Sequence, residues 1–532
     1  MKKKRPDIVV FVAEDLDYEG INCFDANMTG YSGLRKTGDN EFPNVPRESR
    51  KLLTPTIDSL ARDGVMFNNY YCVSAICTPA RYSLLTGRYP ERSPELCRFM
   101  PEGTQANIWF ESGIDKNESN IAKSLQSEGY HTGIFGKWHN FPIDLDFSIK
   151  DLVYEGSQPD DDPNSPVVKE KIDKGYKMAV DHLKEGLGWD HADRIYFNNP
   201  EPIKPSILSS QNIDWIVEGA VDFIESHKDS ETPLFTYIAV TLPHSRYNGQ
   251  RFKNAHPLAS PAGLLDKAPD IMPSRENIME RIHAAGLADS AAEGLWLDEG
   301  VNAVISALKR AGRAENTCFV FTTDHPSAGK GTCHLGRIPL IITWPGMIKA
   351  GQINSTLLSQ TDLASTILGL AGCVTPGDMK QDGRSFENLL LPQNEKSMCD
   401  NSRYIKRDSV MLEVVNSRAV ISGKWKYIAN RLPREDNYTE NDLKAVGWYA
   451  RKTWLRENLQ SHVRWDADKL FPSYFEKDQL YDIEADPLEQ NNLAGIDKYQ
   501  DILIAMKEKL GRELSGMPHI FGEFNACGQS AG

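Results

Sequence analysis

Residues 297–325 read L-D-E-G-V-N-A-V-I-S-A-L-K-R-A-G-R-A-E-N-T-C-F-V-F-T-T-D-H. Leu297, Val301, Val304, Ile305 and Leu308 recur on one stripe at helical spacing, and the pattern stops at Gly312. Thr317–Phe321 then forms a short apolar run of strand length, which leads straight into Asp324 and His325. The same unit recurs upstream. Residues 119–128 are helical in pattern, halt at Gly129, and lead to a strand Thr132–Phe135 followed by Lys137 and His139. Residues 212–226 carry Ile213, Ile216, Val217, Val221 and Ile224 on one stripe, and lead to a strand Leu234–Val240 followed by T-L-P-H and His244. A first strand, Ile8–Val12, is followed by Glu14 and Asp15, and Leu340–Thr343 is a further strand. Helix-then-strand alternation predicts an α/β fold, a large and mostly parallel sheet with helices on both faces. Ligands of such sheets bind beyond the carboxyl ends of the strands. Four of these strands deliver charged or imidazole groups to that one edge.

The 532 residues are 40% hydrophobic, ample for a large core and suggestive of more than one domain. A formal net charge of -14 argues against a general binder of nucleic acid or anionic membranes, so any anion site must be a local basic pocket. Nine cysteines, an odd number thinly spread, are not a disulfide framework. No apolar run approaches transmembrane length. The start M-K-K-K-R-P-D is basic like a leader, but the apolar run Ile8–Ala13 is short and is closed by Glu14, Asp15 and Asp17. It therefore reads as a strand, and the chain as given is expected in the cytoplasm, or in the periplasm or outside if a leader was trimmed.

Near residue 395 the texture changes. V-M-L-E-V-V and R-A-V-I-S-G-K-W-K-Y-I, within 410–429, read as two strands joined through Ser422-Gly423, and a helix follows over roughly 499–513. The expected division is a catalytic α/β domain (1–395), a smaller α+β domain with an antiparallel sheet (396–516) and a tail (517–532). Three stretches, roughly 24–53, 90–115 and 141–210, read as irregular loops or insertions bearing on specificity.

Glu14, Asp15, Asp324 and His325 together make an oxygen-rich set with one imidazole, suited to Ca²⁺, Mg²⁺ or Mn²⁺ better than Zn²⁺. An isolated E-D or D-H pair is ordinarily a polar loop; two pairs at two strand ends point to a metal. No third cluster marks the second cation of a two-metal phosphatase. Residues 75–90, A-I-C-T-P-A-R-Y-S-L-L-T-G-R-Y-P, place Cys77 at a helix start with Pro79 in the first turn, and the helix ends at Gly87. Cys77 and Arg81 share a face. One reading is a buried structural cysteine. The other is an anion site, where the helix N-terminus and the guanidinium activate the group at position 77.

The stretch C-T-P-A-R-Y-S-L-L-T-G-R-Y-P resembles the signature of the type I sulfatases, in the alkaline phosphatase superfamily. Four further segments are similar to that family: 54–67 (T-P-T-I-D-S-L-A-R-D-G-V-M-F), 129–139 (G-Y-H-T-G-I-F-G-K-W-H), the D-H pair with 329–332 (G-K-G-T) and 337–346 (R-I-P-L-I-I-T-W-P-G), and 479–494 (Q-L-Y-D-I-E-A-D-P-L-E-Q-N-N-L-A). The resemblance implies an alkaline phosphatase-like fold and a sulfatase in which a separate formylglycine-generating enzyme oxidises Cys77. The hydrated formylglycine would attack sulfur, and His139 would take the proton that lets sulfate leave. Ca²⁺ would be held by Glu14, Asp15, Asp324 and His325, Arg81 would hold the nucleophile, and Lys137 and Lys330 would bind sulfate oxygens. His244, alone or with Lys330, would protonate the leaving alcohol.

The chain departs from the family at Glu14, where aspartate is usual, at Pro326, where glycine is usual, and in a shortened loop Cys333–Gly336. That loop is expected to border the substrate, with His334 either contacting it or simply on the surface. W-Y-A-R-K-T-W-L-R (448–456) is read either as a platform for a sulfated sugar, through Trp448 and Arg451, or as a helix that buries its tryptophans. The expected substrate is a sulfate monoester on a small molecule or saccharide. The rivals are a phosphonate monoester or phosphodiester hydrolase of the same superfamily, and an unmodified binding protein.

Overall fold

The computed structural model describes residues 5–26, 52–104, 107–109, 112–142, 157–244, 247, 249–379, 382–392, 406–431 and 470–525. Its centre is an eight-stranded sheet of β1 (Asp7–Glu14), β2 (Val65–Phe67), β3 (His131–Lys137), β4 (His191–Tyr196), β5 (Leu234–Pro243), β6 (Thr317–Thr323), β7 (Leu340–Thr343) and β8 (Gln352–Asn354). The spatial order is β8-β2-β7-β6-β1-β5-β3-β4. Only β7 runs against its neighbours; the other pairings are parallel.

The central strand explains why this sheet needs helices on both sides. Every residue of β1 is buried, and from Ile8 to Ala13 its run is continuously apolar where a half-exposed strand would alternate. Ile8, Val10 and Val12 join one core cluster, while Val9, Phe11 and Ala13 join the other, as the two-residue period of a strand requires. Helices α1 (Pro55–Asp63), α2 (Cys77–Thr86), α3 (Ile121–Ser127), α4 (Pro166–Lys184), α5 (Ile213–Ser226), α6 (Ala292–Arg310) and α7 (Asp362–Leu370) cover it. Tyr82, Leu84 and Leu85 of α2, with α3 and α7, fill the first cluster. The stripes of α1, α5 and α6 fill the second. Gly87 ends α2 in the left-handed region, φ 68°, and its N–H bonds the Ser83 carbonyl at 2.9 Å, a position where a side chain would be strained.

A second sheet, β9 (Val410–Val414), β10 (Ser417–Ser422), β11 (Trp425–Asn430) and β12 (Asp478–Asp482), is antiparallel throughout. Helix α8 (Gln500–Leu514) packs Leu503, Met506, Leu510 and Leu514 against it. The segment expected as two strands is therefore three, joined by two tight turns.

Two expectations are corrected. The stretch 141–210 contains α4 and the edge strand β4. Charged residues break the apolar signal of H-A-D-R-I-Y, and a glycine and an N-terminal proline punctuate α4. The stretch after residue 516 is also no loose appendage as far as residue 525. Phe521 is fully buried, the His519 N–H donates to Glu91 at 3.2 Å, and Arg431 Nε donates to Glu523 Oε2 at 2.8 Å. Among the described residues, no helix is long and apolar enough to cross a membrane.

Candidate active site

The carboxyl ends of β1, β3, β5 and β6 meet the N-terminus of α2. There the backbone leaves ordinary strand geometry: Asp15, His139 and His244 have φ of 51°, 62° and 46°. Such conformations are uncommon outside glycine, and here three of them cluster at the sheet edge. The turns are held by bonds between strands. Asp15 N donates to Asp324 Oδ1 at 3.0 Å, His244 N to the Glu14 carbonyl at 3.1 Å, and Gln360 Nε2 to the Asp324 carbonyl at 2.6 Å.

Arg81 sits one helical turn after Cys77 and is fully buried. Its Nε donates to Asp324 Oδ2 at 3.1 Å, its Nη1 to the Lys137 carbonyl at 3.1 Å, and its Nη2 to Glu14 Oε2. Lys137 Nζ reaches Glu14 Oε1, and donates to Asn199 Oδ1 at 2.8 Å. Lys330 Nζ pairs with Asp15 Oδ2. Burial opposes charge on Glu14, yet Lys137 and Arg81 outweigh it and hold the carboxyl well below the usual range. Burial is likewise outweighed at Asp15 by Lys330 and His325.

One donor atom from each of Asp15, Cys77, Asp324 and His325 lies within 4.8 Å of the others, and all four residues are buried. His325 Nδ1 faces the Pro326 carbonyl at 2.9 Å, which accepts only, so the ring hydrogen sits there. Nε2 is left against Asp15 Oδ1 at 2.9 Å and Cys77 Sγ at 3.4 Å. A lone pair facing a carboxylate is repulsive unless a cation stands between them. Burial disfavours the charged ring, but Asp15 and Asp324 outweigh it and raise the imidazole well above its ordinary range, which favours a proton there. A hard divalent cation satisfies the same two carboxylates and imidazole, so the residues fit the expected metal.

Glu14 is placed differently from Asp15, Asp324 and His325. Its oxygens are occupied by Arg81, Lys137 and the Cys77 thiol at 3.1 Å, and it stands outside the four-residue group. Of the two readings of position 77, the burial is met: Cys77 is 2% exposed, and burial, reinforced by Glu14, raises the thiol against the pull of Lys137 and Lys330. As a thiol, residue 77 is a neutral, weak nucleophile. His334 is no surface residue bordering a substrate. It is buried, stacked on Phe471 at 3.9 Å, and paired with Glu489 at 2.8 Å, which also takes Lys426 Nζ at 2.7 Å. The shortened loop thus locks the large sheet to the small one. Trp448 and Arg451 lie outside the described residues.

Two residues went unread in the sequence. Past β4, Asn199 joins Lys137 to His244, its Nδ2 lying 2.7 Å from His244 Nε2. Glu201 Oε1 lies 3.1 Å from His244 Nδ1. The segment N-N-P-E carries no motif, and only its place after a sheet strand could have flagged it.

A mostly parallel sheet whose strand ends gather two buried cations and a partly buried third, a candidate metal cluster and a helix-borne residue 77 fits an enzyme that hydrolyses an anionic ester. The chain belongs to the sulfatase family: the family's model matches residues 6–373, and that of the N-sulphoglucosamine sulphohydrolase C-terminal region matches residues 334–445. It is therefore a sulfuric ester hydrolase. An ulvan-active sulfatase of Formosa agariphila is 25% identical over 517 residues, spanning 96% of this chain and 79% of that one. An N-acetylgalactosamine-6-O-sulfatase of Bacteroides thetaiotaomicron is 23% identical over 572 residues, 92% of this chain and 90% of the relative. A solved structure described as a complex with its substrate D-glucosamine-2-N,6-O-disulfate shares the fold with a TM-score of 0.54 and 16% identity, over 96% of this chain and 98% of that one.

Proposed function

We propose that the protein removes sulfate from a sulfated carbohydrate, with residue 77 as nucleophile after Cys77 is converted to formylglycine and with one Ca²⁺ held by Asp15, Asp324 and His325. The observation that carries this is the setting of position 77. It opens a buried helix, touches the carboxylate and imidazole groups of the candidate metal cluster, and is ringed by Arg81, Lys137 and Lys330. A raised thiol is of little use as it stands, whereas an aldehyde hydrate at that position supplies a hydroxyl nucleophile and a divalent cation supplies the charge that polarises the ester. The relatives, an ulvan-active sulfatase and an N-acetylgalactosamine-6-O-sulfatase, favour a saccharide.

The chain's own residues divide the remaining work. Lys137 and Lys330 bind sulfate oxygens and offset charge that grows as the bond breaks. Arg81 braces Glu14 and Asp324, so that the sheet edge and α2 keep one geometry. His139 holds the proton removed from the hydrate, and His244 gives one to the leaving oxygen. Glu14 is the anchor of Arg81 and Lys137 and is left out of the metal set.

A separate formylglycine-generating enzyme has to act before the fold closes, because Cys77 is only 2% exposed. Peptide mass spectrometry across residues 63–81, on protein from its native source, reads the conversion directly. It is paired with sulfate release from a panel of sulfated saccharides, with an aryl phosphonate as counter-substrate. Formylglycine at 77 with saccharide desulfation is the expected result. An unconverted cysteine in active enzyme overturns the nucleophile, and turnover of the phosphonate alone overturns the substrate class.

A further inference from the structure

We propose that Glu201 is a positioning residue for His244, fixing which ring nitrogen faces the reacting ester. The proposal rests on the reading of His244 as the donor of a proton to the leaving oxygen.

The chain Lys137–Asn199–His244–Glu201 has one donor sense, and a cation sets it. A protonated Lys137 can only donate, so the Asn199 atom 2.8 Å from its Nζ is the carbonyl oxygen Oδ1. That fixes the amide, and its NH₂ group lies 2.7 Å from His244 Nε2. An amide nitrogen only donates, so Nε2 accepts, and the ring hydrogen is on Nδ1, facing Glu201 Oε1 at 3.1 Å. The tautomer follows from two residues whose own positions are pinned. Asn199 is buried, with its N–H on Asn198 Oδ1 at 2.7 Å, and the Glu201 carbonyl accepts from Ser209 Oγ at 3.1 Å. The His244 backbone is held at φ 46° by the bond to the Glu14 carbonyl.

A neutral ring with its hydrogen on Nδ1 is the form that His244 takes once Nε2 has given up a proton. Before that transfer, Nε2 carries a proton taken from water, Asn199 Nδ2 and Nε2–H are both donors and part, and the Glu201 carboxylate offsets the imidazolium. The Nε2 proton then passes to the bridging oxygen as the sulfur–oxygen bond breaks and that oxygen keeps the bonding pair. The ring returns to the neutral form that Asn199 and Glu201 hold. Glu201 works from outside the pocket: its side chain is 53% exposed, against 20% for His244. A carboxylate so exposed has no need to be there for packing.

The test is the dependence of kcat/KM on the leaving group, measured with 4-nitrophenyl sulfate and 4-methoxyphenyl sulfate for wild type, Glu201→Gln and His244→Ala. A good leaving group needs no acid, and a poor one does. Glu201→Gln is expected to lose about 10- to 100-fold on the methoxy ester and no more than about threefold on the nitro ester. A merely structural role lowers both alike. Equal losses on both esters for Glu201→Gln, or none on either, while His244→Ala keeps its leaving-group dependence, overturn the role of Glu201 alone. Equal losses for His244→Ala overturn the donor reading, and the proposal with it. Melting temperatures of both variants, expected to match wild type, separate a fold defect from either result.

Discussion

Glu14→Gln keeps the shape of the site and removes one charge from its centre. Glu14 is fully buried between Arg81 Nη2 and Lys137 Nζ, which are fully buried themselves. In the wild type three carboxylates, Glu14, Asp15 and Asp324, face three permanent cations, Arg81, Lys137 and Lys330. The substitution strands the cations, and losing one partner of a buried ion pair costs about 3–5 kcal/mol. With an unfolding entropy of about 2.1 cal/mol/K per residue, the 532-residue chain unfolding as one unit gives about 1.1 kcal/mol/K, so Tm falls by about 3–5 °C. The assay is differential scanning calorimetry in a chelator and again in Ca²⁺. An anchor is needed whether or not metal is bound, so the loss appears in the chelator. A Glu14→Gln variant as stable as wild type in chelator, and short only of the Ca²⁺-dependent gain, would refute the anchor and restore Glu14 to the ligand set.

Three further outcomes are expected. Arg81→Lys keeps the charge but loses the fork that reaches Asp324, Glu14 and the Lys137 carbonyl together, so sulfate release should fall at least about 100-fold, read as initial rates at saturating substrate. Chelation should abolish turnover, with Ca²⁺ or Mg²⁺ restoring it better than Zn²⁺, because the donors are two carboxylates and one imidazole. Glu118, buried behind α2 against Tyr82 and Arg88, is pushed up to about 7 by its burial, which those partners only partly offset. Its folded state thus holds the proton more tightly than the unfolded chain, where the ordinary value is 4.5. That contribution is complete below pH 4.5 and is lost as pH rises through 7, up to about 3 kcal/mol in all. Glu118→Gln should flatten this part of the Tm-against-pH curve between pH 5 and 8, and an unchanged slope counts against the assignment.

What could be read in advance, and what could not, follows from how each residue earns its place. Asp324 and His325 were legible because a buried parallel strand is a run of apolar residues, and polar groups directly after it fall at the sheet edge whatever the rest of the chain does. Glu14, Asp15, Lys137 and His244 were found in the same way. Their placement is fixed by one strand and the residues next to it. The role of Glu14 was not legible, because it depends on which of its neighbours arrives first at its oxygens. Arg81 comes from a helix and Lys137 from another strand. His334 misled for a related reason. A short polar loop reads as surface until a second sheet is laid over it, and Glu489, which buries it, lies far away in sequence. Asn199 and Glu201 are the extreme case. They follow an edge strand whose alternation of charged and apolar residues hides it, and their chemistry is borrowed wholly from Lys137 and His244. A residue that acts on bound groups through its own strand can be seen in one sequence; a residue that acts through another side chain becomes visible only when the fold brings the two within a hydrogen bond.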